Sequence, residues 1–255
     1  MTTTTTPTGP TDAAQAPRPG PAPQPASAAS ESVLDNPRWS SLTGVHAHLA
    51  EGNELALRYP PDVSPFAGVR SWDEPDVWDA VVDLVGPGAE FPTPPADVAL
   101  PAGWERVALH QGVQLVETEA LRTRPDPEAV VLGADDVPDM LALVERSRPG
   151  PFLPRTYLMG RYVGVRREGR LVAMAGERLQ PTGWTEISAV TTDPDHRGQG
   201  LATRLVLDVA HHVRERGARA MLHAAGDNAH AIRLYENLGF RLRGHTTFGV
   251  VRTPS

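Results

Sequence analysis

Two stretches of this sequence combine residue types that can do chemistry at a suitable spacing. The first is residues 193–205 (DPDHRGQGLATRL), a glycine-rich turn that follows an apolar run and leads into an amphipathic stretch. A turn of this kind between a strand and a helix exposes backbone N–H groups at the positive end of the helix dipole. We therefore expect it to bind a phosphate or a diphosphate.

Three known glycine-loop patterns compete for this turn. The P-loop needs a Lys beside its last glycine, and all 24 basic residues of the chain are Arg. The dinucleotide fingerprint needs a third Gly or Ala where Thr203 stands. The third pattern is Arg197-x-x-Gly200-x-Ala202 between a strand and a long helix. Taken alone, the turn could also be a connector without a ligand.

The second stretch is residues 228–240 (NAHAIRLYENLGF), further along the chain. Asn228 suits the start of a helix, Gly239 suits its end, and Tyr235 between them could be only a half-buried aromatic residue. Together, however, the turn and this stretch resemble the acyl-CoA diphosphate loop and the following helix of the GNAT superfamily of N-acetyltransferases. The resemblance covers about residues 129–251.

The resemblance implies an acyl-CoA-dependent N-acyltransferase, in the simplest case one that transfers acetyl from acetyl-CoA directly to an amine in a ternary complex. It implies that Tyr235 protonates the leaving thiolate and that backbone N–H groups of the strand before the turn stabilise the thioester oxygen. Asn228 would bind pantetheine or a water. The implied cofactor-binding residues are Ala189, Val190, Thr191, Arg197, Gly198, Gln199, Gly200, Leu201, Ala202, Thr203 and Asn228.

The residues themselves offer two carboxylates that could deprotonate the amine. Glu186 lies on the predicted strand before the turn, and Glu177 lies on the strand before that. If these strands pair antiparallel, both carboxylates could approach one cavity, where apolar neighbours would raise the pKa of a carboxyl group. A salt bridge, for example from Glu177 to Arg178 or Arg161, is the plain alternative. A water relay without a dedicated base stays open.

Histidine and cysteine provide fewer candidates for catalysis or metal binding. His223 falls on a predicted strand and His230 on a predicted helix, where packing or a surface position explains them. His211 and His212 are adjacent and face different sides of a helix. The chain has no Cys, which excludes a thiol nucleophile, and it has no His-Glu-x-x-His motif, so we predict no metal site.

A narrower resemblance concerns the bacterial GNAT branch related to the glycine-N-acyltransferase-like group. The segments that carry it are PGPF (149–152), RT (155–156), AMAGER (173–178) and EISAV (186–190). In that branch an N-terminal region of about a hundred residues precedes the catalytic domain. The resemblance implies that residues 34–125 are such an α/β region, a candidate for a degenerate GNAT-like half. That region lacks the glycine loop, so we expect one active site.

The elements that must position these residues form an α/β pattern. From residue 129 the order is strand, helix, three strands, helix, strand, helix and two strands, which predicts a mixed central sheet flanked by helices. Residues 104–109 and 113–118 resemble a two-stranded ribbon. Residues 240–242 and 246–251 resemble a final pair of strands.

The ends of the chain differ in composition. Residues 1–30 are rich in Thr, Pro and Ala without large apolar side chains, so we predict a disordered tail. The domain prediction is thus this tail, an N-terminal α/β region at 34–125 and a catalytic GNAT domain at 126–255.

Charge and hydropathy limit the partners. Residues 1–125 carry 7 Arg and 16 acidic residues, whereas residues 126–255 carry 17 Arg and 15 acidic residues, so the second half better suits an anionic ligand. No Lys-rich patch, signal sequence or long apolar run indicates nucleic acid, secretion or a membrane. We expect a cytoplasmic monomer or homodimer that acts on a small-molecule or protein amine. A non-catalytic acyl-CoA-binding or regulatory module is the alternative.

Overall fold

The computed structural model describes residue 1, residues 30–148 and residues 150–255. The predicted disordered tail, at residues 1–30, lies almost entirely outside these residues. Within them the α-helices are α1 Pro37–Thr43, α2 Val77–Val85, α3 Val137–Ser147, α4 Leu201–Glu215 and α5 Ala229–Leu238. The strands are β1 Glu51–Gly52, β2 Ala56–Arg58, β3 Ala67–Val69, β4 Glu90–Pro92, β5 Glu105–Glu117, β6 Val130–Leu132, β7 Tyr162–Arg167, β8 Arg170–Glu177, β9 Trp184–Thr192, β10 Arg219–Ala225 and β11 Phe240–Arg252.

One eight-stranded sheet organises the molecule, in the order β4-β11-β5-β10-β9-β8-β7-β6. Its strands pair antiparallel except β9 and β10, which run parallel. A second, three-stranded sheet has the order β1-β2-β3. The predicted α/β fold, a mixed central sheet flanked by helices, is confirmed.

Two predicted strand pairs are wrong because each is one long strand. β5 does not fold back on itself; it runs unbroken through residues 110–112 and pairs along its length with β11. Gly112, between the two predicted segments, is a strand glycine beneath an aromatic ring, since a Cβ there would lie 2.1 Å from Phe248. β11 is likewise continuous, with a register shift at Arg243 in place of the predicted break.

The N-terminal region takes part in the main sheet. β5 lies between β10 and β11, so the sheet is continuous only because residues 105–117 connect the parallel pair to the last strand. Residues from both predicted regions therefore share one sheet. The predicted boundary at residue 126 stays a prediction.

The two faces of the sheet are covered by different parts of the chain. On one face α4 buries Leu205, Val209 and Val213, whose spacing forms one helical stripe, against Ile187 of β9 and its neighbours. Each such side chain contributes about 1.5–3 kcal/mol when fully buried. On the other face Leu34 from the N-terminal region packs against strand residues. The sheet thus separates a helix side from an N-terminal side.

Candidate active site

The parallel strands β9 and β10 separate along their length. They pair only from Arg219–Trp184 to Met221–Glu186, and beyond that β9 pairs with β8 alone and β10 with β5 alone. We call the opening between residues 187–192 and 222–225 the fork. It brings the end of β9, which leads into the glycine-rich turn, beside the end of β10, which leads to α5.

A bulge in β9 lies within the fork. Ala189 and Val190 have no register partner on β8, because the pairing jumps from Ser188 to Thr191. Ala189 has φ +52°, a left-handed conformation that is uncommon outside glycine. The bulge therefore interrupts the β8–β9 ladder at the residues predicted to stabilise the oxyanion.

The glycine-rich turn presents a row of free backbone donors. The consecutive N–H groups from Gly198 to Thr203 have no hydrogen-bond partner among the described residues. Gly198 and Gly200 have φ of +77° and +72°, and a Cβ on either would meet nothing within 4 Å. No acidic residue lies in the first turn of α4, and Leu201 anchors that turn in the core. This geometry suits a diphosphate.

The start of the turn is fixed by Asp193, which sequence reasoning did not single out. This carboxylate is 1% exposed, accepts from the Asp195 N–H at 3.1 Å and pairs with Arg146 of α3 at 2.9 Å. Burial opposes ionisation, but these donors hold the pKa of Asp193 below its ordinary value. Asp193 therefore positions the turn. Arg197 is exposed and makes no ion pair with any described residue.

The second predicted stretch forms α5 and borders the fork. Asn228 begins α5, where its Oδ1 accepts from the Ala231 N–H at 3.1 Å and its NH₂ group stays free to donate. Tyr235 is 8% exposed and meets Phe240 edge-on with ring centroids 6.1 Å apart. Burial raises the pKa of Tyr235 to about 12, so the phenol keeps its proton at neutral pH.

The two candidate carboxylates do not share a cavity, contrary to the prediction. Glu177 pairs with Ile187 across β8 and β9, so both point to the α4 face. Glu186 is the next residue along β9 and points to the N-terminal face. Glu177 instead binds Arg216, just after α4, at 2.7 Å. Its role as base stays a prediction that this geometry does not favour.

Glu186 is not a carboxyl with a raised pKa, and that expectation is wrong. Burial alone would raise the pKa, but Arg178 and His223 hold it well below the ordinary value. Arg178 binds both Glu186 oxygens, at 2.6 and 2.9 Å, and the Nδ1 of His223 lies 2.7 Å from Oε1. A carboxylate held this firmly in its ionised form is a weak proton acceptor.

His223, for which the sequence suggested only packing or a surface position, lies between Gln114 and Glu186 in a hydrogen-bond network. Gln114 donates its NH₂ to the Leu34 carbonyl and accepts from Arg243 through Oε1, at 3.1 and 2.9 Å. This orientation directs an N–H at His223 Nε2, 3.0 Å away. We therefore place a ring proton on Nδ1, toward Glu186, and let Nε2 accept from Gln114, so an acceptor amine must displace Gln114 before Nε2 can take a proton. A histidine oriented by a buried carboxylate suits a general base.

A cavity of about 460 Å³ adjoins His223 on the N-terminal face of the sheet. Gln114, His223 and residues 243–248 form one wall, and residues 34–38 and 67–73 form the other. Neither the glycine-rich turn nor Tyr235 lines it. The fork thus has an open row of donors at the helix side and an enclosed space with an oriented histidine at the other.

Comparison with known proteins agrees with this geometry. A family model described as FR47-like protein matches residues 162–249, from β7 into β11. A putative acetyltransferase from the GNAT family of Novosphingobium aromaticivorans, whose structure is solved, is 36% identical and superposes with a TM-score of 0.79. The match covers 88% of this chain and 99% of that one. The chain belongs to the GNAT family.

Other GNAT relatives are known by sequence. A mycothiol acetyltransferase from Saccharopolyspora erythraea is 30% identical over 207 residues, which are 75% of this chain and 65% of that protein. A mycothiol acetyltransferase from Thermomonospora curvata is 41% identical over 75 residues, 29% of this chain and 25% of that protein. The chain thus spans less than two thirds of either relative. Across the residues that the structure describes, no helix has the length and apolarity to cross a membrane.

Proposed function

We propose that this GNAT protein is an acyl-CoA-dependent N-acetyltransferase that transfers acetyl from acetyl-CoA directly to an amine in a ternary complex. The observation that carries the proposal is the fork, with free backbone donors on its helix side and the His223–Glu186 pair beside a cavity on its other side. The family supports acetyl transfer, and so does the printed name of the mycothiol acetyltransferases.

The glycine-rich turn would hold the CoA diphosphate. Its free N–H groups and the dipole of α4 favour a dianion, and Arg197 adds an unpaired positive charge beside them. The cosubstrate supplies a thioester, whose carbonyl oxygen would accept from the N–H groups freed by the bulge at Ala189 and Val190. Asn228 keeps its NH₂ group free for the pantetheine amides or a water.

Two proton transfers by side chains would complete the reaction. The acceptor would displace the Gln114 N–H from His223 Nε2, which then takes a proton from the ammonium group, and Glu186 stabilises the imidazolium that results. The amine nitrogen then bonds to the acetyl carbon as the carbon–sulfur bond breaks, the nitrogen releases its second proton to solvent to become a neutral amide, and Tyr235 protonates the departing thiolate. His223 then loses a proton to solvent and Tyr235 gains one, so both return to their starting protonation states. No step changes an oxidation state.

The proposal also includes four finer properties of the protein. They are the bacterial branch related to the glycine-N-acyltransferase-like group, the cytoplasmic location, a monomer or homodimer, and the absence of a metal from the mechanism. The acceptor is taken to be a small amine and not a protein, since the cavity is of small-molecule size.

The test is a screen of amines with acetyl-CoA, read by CoA release and by the mass of the product. We expect one class of amine to gain an acetyl group, at a rate that depends on protein and amine. The chain has no Cys, so a thiol reagent reports CoA without background from the protein. If acetyl-CoA binds but no amine is acetylated, the protein is an acyl-CoA-binding module, the alternative function.

A further inference from the structure

The cavity beside His223 contains an arginine whose charge is not balanced. Among its lining residues Arg243 pairs with Asp35, and Arg70 pairs with Glu74. Arg38, at the start of α1, makes no ion pair or hydrogen bond with any residue that the structure describes. A half-buried guanidinium without a counter-charge is costly unless it serves a ligand.

The surroundings of Arg38 explain why its charge stays unbalanced. Its guanidinium lies 5.5 Å from the centre of the Phe66 ring, and that of Arg178 lies 4.7 Å from the same centre. Glu186 neutralises Arg178 and also binds His223, so its oxygens are already occupied. Two cations therefore contact one ring, and the carboxylate nearby, Glu186, binds Arg178 and not Arg38. Burial lowers the pKa of Arg38, although the charge of Glu186 opposes the shift.

We propose that the acceptor is a small amine that also carries an anionic group, a carboxylate or a phosphate, which binds Arg38. The inference rests on the proposed function, because it assigns the substrate class of that same site. Arg38 and His223 line one cavity of about 460 Å³, the size of a small-molecule site. A guanidinium fixed against an aromatic ring presents paired N–H donors that match two oxygens of a carboxylate or phosphate.

This arrangement fixes the direction of the substrate. The anionic group binds on the N-terminal wall and the amine faces His223 on the sheet wall, next to the fork. An uncharged amine of the same length would leave the half-buried Arg38 without a partner. The cavity therefore selects against neutral amines as well as for anionic ones.

The experiment compares matched amines that differ only in the anionic group. β-Alanine is paired with β-alaninamide for the carboxylate arm, and phosphoethanolamine with ethanolamine for the phosphate arm. The readouts are CoA release and, independently of turnover, calorimetric binding of each amine to the protein in the presence of CoA. We expect one anionic member to be favoured over its neutral partner by about 10- to 100-fold in kcat/KM, as a charge-assisted contact provides.

Variants of two cavity arginines test which residue gives the preference for an anionic amine. Arg38→Gln should raise KM for the anionic amine by about 10- to 100-fold, leave KM for acetyl-CoA unchanged and raise kcat/KM for the neutral amine, because it removes the charge that disfavours that amine. Arg38→Lys should recover part of the loss, since it restores the charge without the paired donors. Arg70→Gln is the matched control, because Arg70 lines the same cavity but is paired with Glu74. Melting curves and CoA binding check that each variant folds.

The outcomes separate this inference from the proposed function. Turnover of neutral and anionic amines at equal kcat/KM, or an equal loss for both in Arg38→Gln, overturns the anionic acceptor and leaves the acetyltransferase standing. Binding of an anionic amine that Arg38→Gln abolishes, with no acetylation of any amine, supports the anion site and removes the enzyme activity. The inference is overturned if no anionic amine binds to the protein and none is acetylated.

Discussion

The glycine-rich turn and the cavity beside His223 differ in how far apart in the sequence their parts lie. The turn, the first turn of α4 and α5 come from residues 193–240, inside the stretch matched by the family model. The cavity joins His223 and Gln114 to Arg38, and its second wall lies outside that match. We call the glycine-rich turn with α5 the donor side, because it would bind the acetyl donor, and the cavity beside His223 the acceptor side. The difference teaches that the donor side is a local structure that a motif can specify, whereas the acceptor side depends on how distant segments pack.

The largest effect should come from His223, on the acceptor side. His223→Ala removes the group that takes the amine proton, so kcat/KM should fall by about 100- to 10,000-fold while acetyl-CoA affinity stays unchanged. The loss should become smaller as the pH rises, because a larger fraction of the acceptor is then already a neutral amine and needs no base. His230→Ala, at an exposed position on α5, is the control and should behave as wild type. Equal activity of the two variants would remove His223 from the mechanism.

Glu186 tests whether the acceptor side also supports the fold. Glu186→Gln leaves the guanidinium of Arg178 buried without its counter-charge, which should lower the free energy of unfolding by about 3–5 kcal/mol in urea titrations. Because the pKa of Glu186 is depressed in the folded state, its stabilisation is present above its ordinary pKa of 4.5 and is lost as the pH falls below that value. The variant should lack this pH dependence.

The control for Glu186 is Glu51→Gln, which breaks the exposed pair with Arg58 and should cost less than about 1 kcal/mol. If both variants lose equally little stability, the Glu186–Arg178 pair is not important for the fold. The acceptor side then makes no special contribution to the stability of the protein.

Gly200 tests the donor side. Gly200→Glu puts a carboxylate beside the free N–H groups of the turn, so acetyl-CoA affinity should fall by about 100-fold, measured by calorimetry. Gly200→Ala imposes a similar left-handed strain of about 1–2 kcal/mol but adds no charge, and its Cβ meets nothing within 4 Å. It should lose stability and keep its affinity. Unchanged affinity in Gly200→Glu would falsify the diphosphate site.

Tyr235 should show the smallest effect. A thiolate leaves readily without help, so Tyr235→Phe should lower kcat by about 10- to 100-fold with little change in KM for acetyl-CoA. A raised pKa of about 12 keeps the phenol protonated below that pH, so wild-type kcat should not decline through Tyr235 between about pH 8 and 10. A change in KM alone would make Tyr235 a packing residue on the donor side.

The donor side could be predicted from sequence because its signals are local. Gly198 and Gly200 indicate left-handed positions, and Asn228 and Gly239 indicate the ends of α5, each from its neighbours alone. Periodicity likewise predicted α4 and the hairpin of β7 and β8. None of these inferences needs to know which strands are neighbours.

The acceptor side could not be predicted because strand order decides it. Glu186 meets His223 only since β9 and β10 pair in parallel, and Gln114 reaches His223 only since β5 lies beside β10. An acidic residue within an apolar strand was a signal that something neutralises Glu186, but the sequence does not name the partner. Reading β5 as a ribbon also concealed that an N-terminal segment supplies Gln114.

The position of β5 has a consequence for biosynthesis. Residues 105–117 leave the ribosome well before their partners, because β10 begins only at Arg219 and β11 ends at Arg252. At about 5–20 residues per second, β5 waits on the order of ten seconds with its backbone unpaired. Pairing so distant in sequence folds slowly. We therefore expect the nascent chain to depend on chaperones until β11 emerges, and the finished protein to resist separation into halves.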